Sequence, residues 1–382
     1  MNQSFRRAAV GIAGFWAFFN LYGPQSLLPL LAGEFNASPG EISLIVTATT
    51  LAIAISAPFA GAIADVLGRK RVIAAAMIVS AIPLVMMALA PNLHALIVWR
   101  FTLGLVLPPI FTVVVAYIGE EWPAAQAMGA MGLYMAASSL GGFSGRFVSG
   151  LLADLAGWRL GFLVVAAATC LSGLAVAAIL PRERNFTRSE GLAESGRQML
   201  RHLRNPQLLA TYAVGFGTLF TFVALFTYVN FLLAAPPFSL SPTLLGAIFV
   251  TYLAGGAAVL GLGRAVAWLG RRQLVFVAIG VWACGALLTL SPSLPVIILG
   301  LAVAASGGFV VQATSTGYVA LTAESGRTSA VGFYATSYYV GGSIGAVLPG
   351  LTWSTGGWPA VVAMAIAMQA LMAVVIAVYW RR

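Results

Sequence analysis

Along this chain the polar positions fall in short clusters and the apolar positions in long unbroken runs. Twelve runs can be marked, at about 8–31, 42–63, 72–90, 95–118, 127–152, 161–180, 207–233, 244–263, 273–290, 296–321, 329–352 and 360–380. Each is close to the roughly 20 residues that a helix needs to cross a bilayer. The runs are continuous, whereas the strands of a membrane barrel alternate apolar and polar residues. Backbone groups in lipid must bond one another, so the pattern predicts twelve spanning helices. Spans nine and ten are parted only by the Pro-rich turn Ser291–Pro295.

Composition agrees with a bilayer as solvent. Of 382 residues, 60% are hydrophobic and 8% charged, against about 25% charged in soluble domains. The charges also carry an orientation. With both termini on one side, that side holds seventeen of the twenty Lys and Arg; the other side holds Arg159, while Arg100 and Arg146 fall within spans. This asymmetry places the termini in the cytoplasm. The net charge of +10 therefore reads as topology and as contact with anionic lipid headgroups. Nucleic acid is excluded as a partner, because no basic domain stands outside the membrane. The start "MNQSFRRAAVGIAGFWAFFN" runs on past Tyr22 to Leu31 with no small-x-small cleavage site, so it is expected to be a retained first helix. Cys170 and Cys284 fall in mid-span and carry no disulfide framework.

The one long polar stretch, 181–206, has six Arg and three Glu. It divides the chain into six spans at 1–180, a linker at 181–206 and six spans at 207–382. An amphipathic helix at 192–203 is expected on the membrane surface. The halves repeat. "MGLYMAASSLGGFSGRFVSGLLADLAGW" at 131–158 aligns without gaps with 331–358, and Gly132, Gly141, Gly142, Gly145, Gly150, Leu151, Gly157 and Trp158 all recur. "GAIADVLGRKR" at 61–71 recurs as "GRAVAWLGRRQ" at 263–273, with Asp65 replaced by Ala267. Six spans lie between copies, so this is a parallel repeat, the plan of carriers whose halves rock about a central site.

On these residues the chain resembles the major facilitator superfamily along essentially its full length. Gly61, Asp65, Gly68, Arg69 and Lys70 fit that family's loop signature G-x-x-x-D-x-x-G-R-[KR] between spans two and three. Arg100 and Gly104 fit its span-four R-x-x-x-G. Gly132, Gly141 and Gly145 fit the span-five signature of its antiporter branches, with Arg146 where Pro is usual. The stretch 131–154 looks most like bacterial inner-membrane drug:proton antiporter relatives of the YnfM type. The resemblance implies an all-α polytopic membrane protein, with twelve transmembrane helices in two pseudo-symmetric six-helix bundles. It implies a monomer of the bacterial inner membrane with no cofactor. The implied activity is secondary active export of small organic compounds by alternating access, in exchange for protons, with spans one, four, five, seven, ten and eleven lining the site. The five loop residues would form a gate.

The residues themselves suggest how. Gly61 and Gly68 permit close backbone approach and a tight turn. Asp65, at a helix end, can pair with an Arg or with the positive end of another helix. Gly141 and Gly145, with Gly341 and Gly345, recur every fourth residue, and small residues at that spacing let helix backbones touch. Arg100 and Arg146 are costly within a span, and none of the ten acids is deep in one. Asp154 lies eight residues from Arg146, about 12 Å along a helix. Two unpaired guanidinium groups would make a cavity electropositive, which gives a second reading: a carrier of organic anions with Arg100 and Arg146 as ligands. Their structural alternative is hydrogen bonding to backbone carbonyls near helix ends. Proton carriers would be Glu34, Asp154 or Asp65, all near membrane edges. Tyr22 and Gln25 share a face beside Pro24 on span one, and Tyr228 and Asn230 are expected to flank a similar break on span seven. Enzyme chemistry lacks its parts: there is no zinc motif, no phosphate-cradling loop and no His within a span. A non-transporting membrane sensor is the third reading, but the longest polar segment is only the linker.

Overall fold

A computed structural model describes residues 3–183, 204–323 and 327–380; the helix expected at 192–203 lies outside them. The described residues contain helices and turns and no strand. In chain order these are α1 (Gln3–Tyr22), a 3-10 turn (Gly23–Leu27), α2 (Leu28–Glu34), α3 (Pro39–Leu67), α4 (Arg69–Val79), α5 (Ala81–Ala88), α6 (Leu93–Val106), α7 (Pro108–Glu121), α8 (Ala124–Ala156) and α9 (Trp158–Ile179). There follow α10 (Pro206–Ala234), α11 (Pro242–Ala247), a second 3-10 turn (Ile248–Thr251), α12 (Tyr252–Leu260), α13 (Leu262–Leu269), α14 (Arg271–Leu288), α15 (Leu294–Thr322) and α16 (Arg327–Tyr379).

Among the described residues, nine helical segments are long and apolar enough to cross a membrane. The twelve runs are reconciled with these nine by three local features. The last run pair is joined in α16, which is interrupted at Gly357 (φ 54°, ψ −147°). The first run is broken by the turn Gly23–Leu27, with Pro24 at its start. The fifth run is α8, a 33-residue helix whose many Gly and Ser and whose Arg146 dilute its hydropathy. Span seven departs from expectation. α10 runs unbroken from Pro206 to Ala234, because Tyr228 and Asn230 have no proline beside them to remove a backbone donor.

The chain forms two compact units. One takes the described residues of Met1–Ala37, Ala48–Leu192 and Leu240–Ala247; the other takes those of Ser38–Thr47, Ala193–Ser239 and Ile248–Arg382. Each unit therefore includes the opening turns of one helix from the opposite half of the sequence. In the second unit 83% of an 18-residue apolar stretch of α10 is buried, whereas in the first the corresponding share for α9 is 33%, and α9 presents Leu171 and Leu174 outward. The internal repeat is visible in backbone geometry. Gly68, Gly157, Gly270 and Gly357 all have positive φ, each immediately before a helix resumes. Only glycine adopts that conformation without strain, which accounts for these four positions as two repeat-related pairs.

Candidate functional site

The first unit is organised around the break in span one. An α-helical carbonyl normally accepts from the N–H four residues later. Residue four after Asn20 is Pro24, which has none. Arg100 supplies the missing donor and bonds the next carbonyl as well: its Nη1 donates to the Asn20 carbonyl at 3.0 Å and its Nη2 to the Leu21 carbonyl at 2.8 Å. Thr49 Oγ1 in turn donates to the Arg100 carbonyl at 3.2 Å, and Asn20 Nδ2 donates to Thr169 Oγ1 at 3.3 Å. Arg100 is 1% exposed.

Arg146 holds the other side of the same break. Its Nε donates to Gln25 Oε1 at 2.8 Å and its Nη1 to the Gly142 carbonyl at 2.8 Å. Its guanidinium lies 4.2 Å from the centre of the Tyr22 ring, a cation–π contact. Ser26 Oγ donates to the Arg146 carbonyl at 2.7 Å. The expectation of two unpaired guanidinium groups is therefore corrected. Both arginines are buried and bonded to the broken span: Arg100 to two of its carbonyls, which water cannot satisfy in lipid, and Arg146 to the Gln25 side chain.

Glycines let the same helices meet. A methyl group placed on Gly141 would collide with Phe15 O, and one on Gly145 with Phe19 O, so α8 presses directly on α1. The second unit repeats this: Gly341 meets Phe216 O and Gly345 meets Phe220 O, between α16 and α10. Gly132 does not belong to the face, since nothing lies within 4 Å of a methyl group there. Tyr228 and Asn230 are buried and engaged within the second unit. Tyr228 Oη donates to the Ala346 carbonyl at 2.9 Å, and Asn230 Nδ2 to the Phe226 carbonyl of its own helix at 2.7 Å.

The loop at 61–71 is an ion-pair network. Gly68 turns the chain, and Arg69 opens α4. Arg69 Nη1 pairs with Asp65 Oδ1 at 2.9 Å. Its Nε and Nη2 grip the two Glu120 oxygens at 3.1 and 2.8 Å, the two-pronged geometry that suits guanidinium and carboxylate. Glu183 accepts from the backbone N–H groups of Arg69 at 3.1 Å and Lys70 at 3.3 Å, so it caps the positive end of α4. Arg6 donates to the Glu121 carbonyl at 2.9 Å and lies 4.4 Å from the Trp122 ring. Gly61 stands in open space, so close approach is not its role. Glu120→Gln is expected to cost about 1.5–3 kcal/mol, as for a lost charge-assisted bond, and Gly61→Ala to change little. Thermal unfolding of the purified variants checks both.

The three expected proton carriers differ in company. Asp65 is held by Arg69. Glu34 Oε1 pairs with Arg159 at 3.2 Å, half-exposed. Asp154 makes no ion pair among the described residues; its Oδ2 accepts from the backbone N–H of Thr243 at 2.9 Å and from Thr243 Oγ1 at 2.5 Å. It thus caps the start of α11 inside the first unit. Close by, Gly150 abuts Pro242 O and Gly246 abuts the Arg146 carbonyl. In the second unit the repeat-related contact joins Gly350 to Gly40, and there α3 is capped locally: Glu41 Oε2 accepts from Ser38 N at 2.8 Å and from Ser38 Oγ at 2.7 Å.

The Major Facilitator Superfamily model matches residues 10–236. The chain belongs to this superfamily. It is similar to the uncharacterized MFS-type transporter YybF of Bacillus subtilis (strain 168), 31% identical over 353 residues that cover 92% of this chain and 87% of that protein. It is also similar to the inner membrane transport protein YnfM of Escherichia coli (strain K12), 30% identical over 368 residues that cover 95% and 87%. A crystal structure of a variant of the nucleoside transporter NupG shares the fold, with a TM-score of 0.82 over 98% of this chain and all of that one, at 14% identity. This major facilitator protein is accordingly a membrane-embedded transporter of a small-molecule substrate, not an enzyme.

Several groups of this candidate site escape sequence reasoning. Glu120 and Glu183 complete the Arg69 network, Asn20 links spans one and six, and Thr243 receives Asp154. The Glu120–Glu121 pair at the end of span four gave a usable signal, since two adjacent acids so close to a basic loop need cations. Thr243 gave none, because a threonine near a helix start is common.

Proposed function

We propose that this transporter exports small organic compounds in exchange for protons. It would alternate access between the halves 1–180 and 207–382, joined by 181–206, in a bacterial inner membrane with both termini cytoplasmic. The observation that carries this reading is the setting of Asp154. It accepts two hydrogen bonds from Thr243, and no cation pairs with it among the described residues. A coupled carrier needs a group whose proton changes a contact between states. Protonating Asp154 removes its charge from the positive end of α11 and weakens its capacity as an acceptor. The charge asymmetry of the loops supports an outer-side position for this carboxylate, where protons enter in an exporter.

The reading as an anion carrier draws less support, because Arg100 donates to two carbonyls of span one and Arg146 donates to Gln25 of that span and to the Gly142 carbonyl of its own helix. Liposomes with an imposed pH gradient and an internal pH dye test the proposal against lipophilic cations, neutral drugs and organic carboxylates. Cations or neutral drugs are expected to release protons from the protein-containing vesicles. Asp154→Asn is expected to abolish that release while the fold and its unfolding temperature persist. Proton release with carboxylates alone, lost in Arg146→Ala, would overturn the export reading. Unchanged coupling in Asp154→Asn would remove Asp154 from it.

A further inference from the structure

The second unit holds a cavity of about 400 Å³ between α10 and α16, and these two helices supply its whole lining among the described residues. That volume lies within the roughly 300–1,000 Å³ of small-molecule sites. Its walls are rings and thioethers, from Tyr212, Phe216, Phe333, Met368 and Met372. Among the described residues, no lining side chain is charged. Tyr212 is 4% exposed and stacks on Phe333, with ring centres 5.4 Å apart and planes at 25°. Ser337 Oγ donates to the Tyr212 carbonyl at 2.9 Å, which ties the two helices together beside this ring pair. Both sulfurs lie over Gly217, where an added methyl group would strike Met372 Sδ and crowd Met368 Sδ. Methionine is unbranched and polarizable, so it adapts to different shapes and makes favourable contacts with aromatic rings. At the mouth Leu209 and Leu371 are exposed, and both lie in helical segments long and apolar enough to cross a membrane.

The first unit does not repeat this wall. Phe216 O against Gly341 corresponds to Phe15 O against Gly141. In that register Tyr212 stands where the first unit has Gly11, Phe333 where it has Leu133, and Met368 and Met372 where it has Ala168 and Ser172. A methyl group on Gly11 would sit 3.9 Å from both Leu133 and Ala137, so α1 and α8 meet there by ordinary aliphatic contact. The rings and sulfurs are thus no requirement of the shared helix packing.

We propose that this cavity binds the aromatic ring of an uncharged lipophilic compound taken from the bilayer. A hydrocarbon chain would gain only burial and dispersion there. A ring also gains offset contact with Tyr212 and Phe333 and sulfur contact with Met368 and Met372. An ion would lose its hydration with no lining charge to replace it. With the orientation that the loop charges favour, the mouth opens on the inner leaflet, where an exporter meets its cargo. Naming the ligand as cargo rests on the export reading; the binding itself does not.

The test uses the full-length protein in phosphatidylcholine vesicles, with 1-azidopyrene as an uncharged photoreactive ring and peptide mass spectrometry to locate the adducts. Labelling is expected to saturate and to concentrate on 209–216, 333–337 and 368–375. Unlabelled pyrene should compete, whereas methyl oleate, a neutral chain without a ring, should not at the same concentration. Ala213 lines the cavity one turn before Gly217. Ala213→Trp fills the space and should lower labelling at least about tenfold, since the probe ring then finds no buried place. Phe333→Leu, which matches the repeat-related Leu133, should keep the fold and lose the preference for pyrene over methyl oleate. Leu171→Trp puts the same bulk on an exposed position of α9 and should change nothing. Equal competition by methyl oleate in the wild type, labelling that does not saturate, or an equal loss in Leu171→Trp overturns the proposal. Proton release is read in the same vesicles with an internal pH dye. Saturable labelling with no release by any compound leaves the site standing and overturns the export reading. Release by neutral aromatic compounds that persists in full in Ala213→Trp overturns the assignment of the site to cargo.

Discussion

Arg100→Ala is expected to destabilise the protein by about 2–6 kcal/mol, since each buried carbonyl left without a partner costs about 1–3 kcal/mol. The two carbonyls are those of Asn20 and Leu21, buried where water does not reach. Arg100→Lys should recover only part of the loss, because an ammonium is a point donor without the planar fork. The decisive variant adds Pro24→Ala to Arg100→Ala. The new residue 24 has an N–H that Asn20 O can accept, so stability should partly return. A ligand role for Arg100 gives no reason for such a rescue. Thermal unfolding in detergent reads all three. An unchanged unfolding temperature in Arg100→Ala would show that span one does not depend on this side chain.

Gly141→Ala and Gly341→Ala should be damaging to a similar degree, at about 1–3 kcal/mol each or more, the usual cost of overpacking. In both cases the added methyl group lands on a main-chain oxygen, Phe15 O or Phe216 O. Main chain cannot swing aside as a flexible side chain can, so the helix pair must separate. Gly132→Ala should instead be neutral or stabilising by up to about 1 kcal/mol, because alanine is the better helix former and the space is open. Yield and unfolding temperature across the three variants check this. Equal loss in Gly132→Ala would mean that the glycines serve backbone flexibility and not contact.

The contrast between these glycines marks how far the sequence could be read. The spans were legible because lipid demands continuous apolar runs, and the repeat because its glycines recur without gaps. Membership of one helix face was also written in the spacing. Gly141 and Gly145 are a turn apart, whereas Gly132 lies nine residues before Gly141, two and a half turns away on the opposite side. A family signature groups all three, and helical geometry separates them. The role of Arg100 was harder to see. Its partner is a carbonyl 80 residues away, and side-chain chemistry alone suggests an anion site as readily as a brace. Pro24 held the clue, since a proline in mid-span orphans the carbonyl four residues earlier. The break expected in span seven failed for the same reason, no proline being present. Asp154 could be placed at a membrane edge, but its bond to Thr243 depends on a packing between distant helices that no local pattern records.

The exchanged helix starts have a bearing on how the protein is made. Asp154 and Thr243 are 89 residues apart, and ribosomes add about 5–20 residues per second, so the acid waits about 5–20 s for its partner. Gly40 waits far longer for Gly350, through the insertion of nearly every later span. The first unit therefore cannot be complete when its own six spans have entered the membrane. It is finished only by the opening of span eight, and the second unit in turn takes up a segment made near the beginning. Final assembly of this transporter therefore waits on helices made late in the chain.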